Sequence, residues 1–310
     1  MLKNKLKKRL FLIISSLFII LMVWIFPTKE KENKINEKIT TKPESIIYLL
    51  DSNNYVGRVS IYLDEQEKEK QIKEIIKYLT IKSDKSNYIK EGFKPIIPQN
   101  TKLLSVSIDK DLVKLNFSKE FFNVKEDDEE KLISSIIYSI TSIKDINKIS
   151  IYIEGNILTK LPNSGKYIDP ILDRTYGINH IYDFTSIKGT NKTTIYYLSK
   201  YNDYYYYVPV TIVNNENKDK IEIIIDELAS KSVYQTGLIS YLKDIQKMSY
   251  EQTEDTILIN LNSEIFNRLN NNQIENIVYS INLSIKENYK VDKVIYNING
   301  LDFSNQRKRK

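Results

Sequence analysis

Two glutamates occupy matching places in two similar stretches of this 310-residue chain. Val113–Asn123 reads VKLNFSKEFFN and Ile257–Asn267 reads ILINLNSEIFN. Asn116 returns as Asn260, Glu120 as Glu264, Phe122 as Phe266 and Asn123 as Asn267. Two carboxylates roughly 5 to 10 Å apart can cleave a glycosidic bond, one as acid and the other as base or nucleophile. Glu120 and Glu264 would serve only if the fold brought the two stretches face to face. Each Glu holds the same position within its own stretch, so the repetition reads better as one structural corner built twice.

Other chemistry is limited by composition. The chain has no Cys and a single His, His180. Thiolate metal sites, disulfides and cysteine nucleophiles are excluded, and no metal site can draw on two His ligands. His180 sits in the polar stretch INHIYD and reads as a loop residue rather than a catalytic base. No phosphate-binding glycine loop and no G-x-S-x-G elbow is present. The reading therefore has no catalytic, cofactor-binding or metal-binding residues, no cofactor and no small-molecule substrate.

The formal charge of +6 is carried by the ends: of 46 basic residues, nine lie in Lys3–Arg9 and Arg307–Lys310, against 40 acidic residues overall. The body between is slightly negative, which argues against nucleic-acid binding. The tail QRKRK, within residues 305–310, reads as a solvated end.

Residues 1–9 form a basic segment, and residues 10–26 read LFLIISSLFIILMVWIF without a charge. That length is at the short end for a membrane-spanning helix, with Trp24 placed for the headgroup region. No small-residue cleavage site follows, so the segment is expected to be an uncleaved single-pass anchor rather than a signal peptide. The basic flank keeps the N-terminus in the cytoplasm and puts the rest outside. Residues 27–44 are polar, rich in Lys and Glu, and read as a flexible spacer.

The body repeats. Ile46–Leu50 is echoed by Thr194–Leu198, each the first strand of a hairpin. Ile72, Ile75, Ile76 and Leu79 share their helical spacing with Ile221, Ile224, Ile225 and Leu228. The alternation of Leu104, Val106 and Ile108, then Val113, Leu115 and Phe117, predicts a second hairpin; Ile257, Ile259 and Leu261 repeat its second strand. Ile133, Ile136, Ile137 and Ile140 form a second helical stripe, matched by Ile274, Ile277, Val278 and Ile281, with Tyr138-Ser139-Ile140 echoed by Tyr279-Ser280-Ile281. The acidic run Asp127–Glu130 before the first stripe is accounted for by the helix dipole alone. A last strand closes each copy. The expected fold is α+β, two tandem β-β-α-β-β-α-β domains at 45–185 (with a C-terminal extension) and 193–304, each with two helices on one face of a sheet.

The stretch IPQNTKLLSVSIDKDLVKLNFSKEF, Ile97–Phe121, and the following IIYSITSIKDINKISIYIEG resemble the GerMN-domain family. The likeness is good over 46–155 and keeps the same order, more weakly, over 194–302. Its structural motif falls on Pro98, Thr101, Leu103, Leu104, Asn116, Glu120, Phe121 and Phe122, and on Glu264 and Phe266 in the second copy. Asn100 stands where the family usually has Gly. The lipid-attachment Cys of its lipoprotein members is missing, the anchor at 10–26 standing in for it. The resemblance implies a non-enzymatic protein of sporulation and germination. Its place would be outside the cytoplasm, between mother cell and forespore, helping to assemble the channel that joins them. Family modules resemble the ring-building domains of secretion machines, so the implied partners are other channel proteins, packed side by side into rings. A cell-wall (peptidoglycan) binding or sensing module is the alternative; the cluster Tyr201, Tyr204, Tyr205, Tyr206 and Tyr207 is a candidate sugar-stacking surface for it, but reads better as a strand with alternating aromatic faces.

Overall fold

In the computed structural model the residues described are 44–184, 186, 188–230, 236–242, 249–261, 269–298 and 301–302. The basic segment, the anchor at 10–26, most of the spacer, the tail, and Glu264 and Phe266 lie outside them. No helix among the described residues is long and apolar enough to cross a membrane. The chain divides into two units, 1–41 and 42–310; the description concerns the second.

The first copy runs β1 (Glu44–Asp51), β2 (Val56–Tyr62), α1 (Lys68–Leu79), a two-residue β3 (Phe93–Lys94), β4 (Leu103–Asp109), β5 (Leu112–Phe117), α2 (Glu126–Ile140), β6 (Lys148–Ile153) and β7 (Asn156–Ile157). After a connecting β8 (Ile181–Asp183) the second copy runs β9 (Asn191–Tyr201), β10 (Tyr204–Asn214), α3 (Lys220–Ala229), β11 (Ser249–Gln252), β12 (Thr256–Leu261), α4 (Asn271–Asn288), β13 (Lys293–Ile298) and β14 (Leu301–Asp302). The α+β order expected from the repeats is present in both.

The strands are not gathered into one sheet per copy. In each copy the later strands form a sheet of their own, β4-β5-β6-β7 and β11-β12-β13-β14, in which the pairs β5–β6 and β12–β13 are parallel. The opening hairpins leave that sheet and merge across the copies into the order β3-β1-β2-β10, with β9 and β8 also on β10. The expectation of two helices on one face of a single sheet is thus corrected. Helices α1 and α2 touch both the hairpin strand β1 and the second sheet, so both faces of the helical layer are covered. The stripes on α1 and α2 are buried throughout; on α3 and α4, Ile225 and Val278 are only half-buried.

Strand β1 meets β2 on one side, and β9 meets β10. Buried backbone groups on their other edges need partners. Tyr48 N–H donates to Ser139 Oγ at 2.9 Å, and Ser135 Oγ donates to Tyr48 O at 2.5 Å. Tyr196 N–H donates to Ser284 Oγ at 2.8 Å, and Ser280 Oγ donates to Tyr196 O. The same pair of helical serines, four residues apart, closes the same strand edge twice. This moves the repeat register of the second helix by one turn. Ser280 corresponds to Ser135 and not to Ser139, so the Tyr-Ser-Ile echo is not a structural equivalence. Asn288 and the backbone of Ile239 complete the cover of β9 at Thr194 and Leu198.

Candidate functional site

Two surfaces are candidates: the junction between the copies and the free strand edges beside the repeated motif. At the junction β2 and β10 pair only at Arg58 and Tyr207. Where the strands diverge Asn179 fills the gap, accepting from Val56 N–H at 2.8 Å and donating to the carbonyls of Val56 (2.9 Å) and Pro209 (2.7 Å). Gly57 lies here because an added Cβ would come within 3.0 Å of Phe93 and 3.2 Å of Tyr206.

Part of the tyrosine cluster is built into this junction. Tyr206 is buried, donates to Asp51 Oδ2 at 2.8 Å, accepts from Ser199 Oγ, and packs edge-on against Phe93 at 4.7 Å. Tyr204 donates to Glu91 O and carries Lys90 Nζ 3.5 Å above its ring. Tyr201 lies against Gly92, whose φ of +90° and close approach both favour glycine. Tyr207 donates to Asn276 Oδ1 and packs at a tilt against the Tyr279 ring at 4.9 Å, both on α4 of its own copy. Of the five, Tyr205 is the one that is exposed. Tyr204–Tyr207 open the strand β10, as the alternating aromatic faces imply, and Tyr204 and Tyr206 reach the first copy.

Deeper in the junction the equivalent residues Tyr48 and Tyr196 meet, hydroxyl to hydroxyl, at 3.2 Å. Arg174 is set beneath them by a short turn that Asp173 caps. Its guanidinium donates to Glu287 Oε2 (2.7 Å), Thr141 Oγ1 (2.9 Å), Ser142 Oγ (2.9 Å) and Tyr138 O (3.1 Å), and lies over the Tyr138 ring at 4.8 Å. Tyr196 donates to the same Glu287 oxygen. Burial first, and then the Glu287 charge, hold the Tyr138 and Tyr196 hydroxyls protonated well above the usual tyrosine range. No sequence signal singled out Arg174; only the fold places it between the copies.

The motif residues build a corner. Val113, Leu115 and Phe117 are buried as the alternation requires, and Phe121 stacks on Phe117 at 4.7 Å with Phe122 at its edge. Asn116 accepts from Gly155 N–H at 3.0 Å. Glu120 is held below the usual carboxylate range by Ser118 and its own backbone N–H. Pro98 is buried and its carbonyl accepts from Thr101 N–H. Between them Asn100 has a φ of +70°, which explains Gly as the family's habit and Asn as a workable replacement. Leu103 pairs with Phe117, but Leu104 falls in a register shift before Ser105 and is 47 % exposed. Strand β4 is an end strand of its sheet, as is β11 in the second copy.

The acidic run does more than complement a dipole. Glu129 is buried and accepts from the Asn163 and Ser164 amides, both at 2.8 Å. Glu130 faces His180 Nδ1 at 3.2 Å and is paired with Lys166. His180 lies in a loop, as its polar surroundings imply, and its Nε2 donates to Tyr176 O at 2.9 Å, so the ring is a fixed strut with a side chain 7 % exposed. The Glu130 carboxyl is lowered from 4.5 to about 2, chiefly by the His180 hydrogen bond; burial opposes this and Lys166 adds to it. A depressed acid contributes stability that is present above its unfolded value and lost as pH falls through its folded one. Glu130→Gln should therefore be less stable than the parent at neutral pH, and the two should converge as pH falls from 4.5 towards 2. Melting curves across that range check this; a constant gap would refute it.

Among the described residues no group of three or more acidic or His side chains is placed to hold a metal ion.

A family model described as "Germane: Sporulation and spore germination" matches residues 46–159. The chain is 31 % identical over 262 residues to the spore germination protein GerM of Bacillus subtilis, covering 82 % of this chain and 71 % of that one. The solved tandem GerMN domains of the sporulation protein GerM from Bacillus subtilis superpose with a TM-score of 0.74 at 29 % identity, covering 84 % of this chain and 92 % of theirs.

Proposed function

The chain belongs to the GerMN-domain family of sporulation and spore germination proteins, and from that premise we propose that it is a non-enzymatic scaffold. Residues 10–26 anchor it in the cell membrane, and its tandem domains stand outside the cytoplasm, where they help assemble the channel complex between mother cell and forespore. One observation carries this reading. The two copies are fastened into one body through Tyr206, Asn179 and Arg174, while each keeps an outermost strand beside the repeated motif, β4 or β11, at its sheet edge, with the two-residue β7 or β14 at the other end. The edges of β1 and β9 are covered by serines and Asn288. Open edges of like modules on a rigid body suit strand addition or side-by-side packing, which can close into a ring.

The experiment is affinity recovery from membranes of sporulating cells, with the parent chain and with Ser105→Lys plus Ser107→Lys on β4. The parent should recover other channel proteins and the lysine variant should not, because charge on an edge strand opposes pairing. Glu120→Gln with Glu264→Gln should recover them as the parent does. Equal recovery by the lysine variant, or peptidoglycan hydrolysis abolished by the double Gln change, would overturn the reading.

A further inference from the structure

Two clefts lie side by side along the segment that joins the copies. One, of about 560 Å³, is lined by Tyr167, Ile171, Tyr182 and Phe184 together with His180 and Lys166. The other, of about 620 Å³, is lined by Arg174, Lys220, Lys286 and Lys290, with Asn147 and Asn288. Asp173, Thr175, Thr190 and Lys192 line both, so the clefts are continuous.

The first half is aromatic and open. Tyr167 is 77 % exposed, Tyr182 53 % and Phe184 36 %, so each offers ring surface to solvent. Tyr182 stacks on the fixed His180 ring at 5.7 Å and Phe184 stands edge-on to Tyr182 at 5.8 Å, so these two are held in place. The second half is cationic. Lys220, Lys286 and Lys290 have no ion-pair partner among the described residues, whereas Asp173 is engaged in capping its turn and Glu287 is bonded to Arg174. Lys192 is suspended between the halves on the Thr175 and Tyr176 carbonyls, its proton loosened by burial and then by Lys166. This concentration of positive charge stands in a body that is otherwise slightly negative.

We propose that this groove binds an anionic carbohydrate chain. Sugar rings present flat C–H faces that stack on Tyr167, Tyr182 and Phe184. Their acidic groups answer Lys192, Lys220, Lys286 and Lys290, and Thr and Asn side chains between them meet hydroxyls. A sugar chain fits better than an acidic peptide, because the rings form an exposed row rather than a deep apolar hole for a side chain.

The test is calorimetric titration of the full-length chain in mild detergent with three probes: a galacturonic acid hexamer, a neutral glucose hexamer and a glutamate hexapeptide. The acidic sugar should bind best, about tenfold or more above either other probe, and weaken with added salt. Tyr167→Ala, which is too exposed to threaten folding, should weaken it about fivefold, as should Lys220→Ser with Lys290→Ser. Absence of binding would overturn the proposal. So would equal binding of the glutamate peptide, which would make the groove an acidic-peptide site. Sensitivity to the lysines without sensitivity to Tyr167 would reduce it to ion exchange and overturn it as well.

Discussion

Replacing Arg174 with alanine should lower the free energy of unfolding by about 3 to 5 kcal/mol and separate one unfolding transition into two. The Glu287 side chain is 7 % exposed and gives one oxygen to both Arg174 and Tyr196. Its other oxygen is buried without a hydrogen-bond partner among the described residues. Without the guanidinium that carboxylate is left buried and uncompensated, which is the expensive way to break an ion pair. Thr141, Ser142 and the Tyr138 carbonyl lose a shared partner at the same time.

The separation of transitions follows from where Arg174 stands. The buried apolar residues form two clusters, one in each copy, the first including Leu158, Leu161, Ile168 and Leu172 of the extension. What joins them is largely polar: the Arg174 group, Asn179, and Tyr206 on Asp51. Arg174→Met with Glu287→Met should recover most of the lost stability, since a matched apolar pair is often no worse than a buried ion pair. Differential calorimetry reads both effects. A single transition with a loss below about 1 kcal/mol for Arg174→Ala would show that the junction does not rest on this residue.

Much of this fold is legible in the sequence, for definite reasons. Alternation at Val113, Leu115 and Phe117 and the stripe of Ile72, Ile75, Ile76 and Leu79 translate directly into buried faces, because each reports one period. The limits are equally physical. A stripe of Ile at i and i+4 looks the same after a slip of one turn, so apolar residues alone cannot register α4 on α2. The serines can, because each bonds one backbone group of the opposing strand. The sharing of one sheet by two copies is invisible because it rests on contacts such as Tyr206 with Asp51, 155 positions apart. The tyrosines of β10 look alike in sequence, whether they face Phe93, as Tyr206 does, or water, as Tyr205 does. The departure at Asn100 was readable as a departure, but its meaning needed the φ of +70°.

The serine pairs carry the other large expectation. Ser135→Ala with Ser139→Ala should cost about 2 to 6 kcal/mol, since an unsatisfied buried polar group costs about 1 to 3 kcal/mol and two are created, the N–H and the C=O of Tyr48. Both serines are 0 % exposed, so water has no ready route to replace them. Ser134→Ala is the matched control: Ser134 is equally buried, but its hydroxyl donates to Lys131 O in its own helix, so removing it leaves no strand group bare. Its cost should stay below about 1 kcal/mol. Ser280→Ala with Ser284→Ala should reproduce the effect at Tyr196, with one difference: Tyr196 also touches Glu287 and Tyr48 through its hydroxyl, so loosening β9 should weaken the junction too. Amide exchange separates the cases. The first pair should release the Tyr48 amide and leave Tyr196 protected, and the second should do the reverse, since Ser139 still holds the Tyr48 amide. Equal costs for Ser134→Ala and the Ser135 and Ser139 pair would mean that the helix, not the strand edge, needs these hydroxyls.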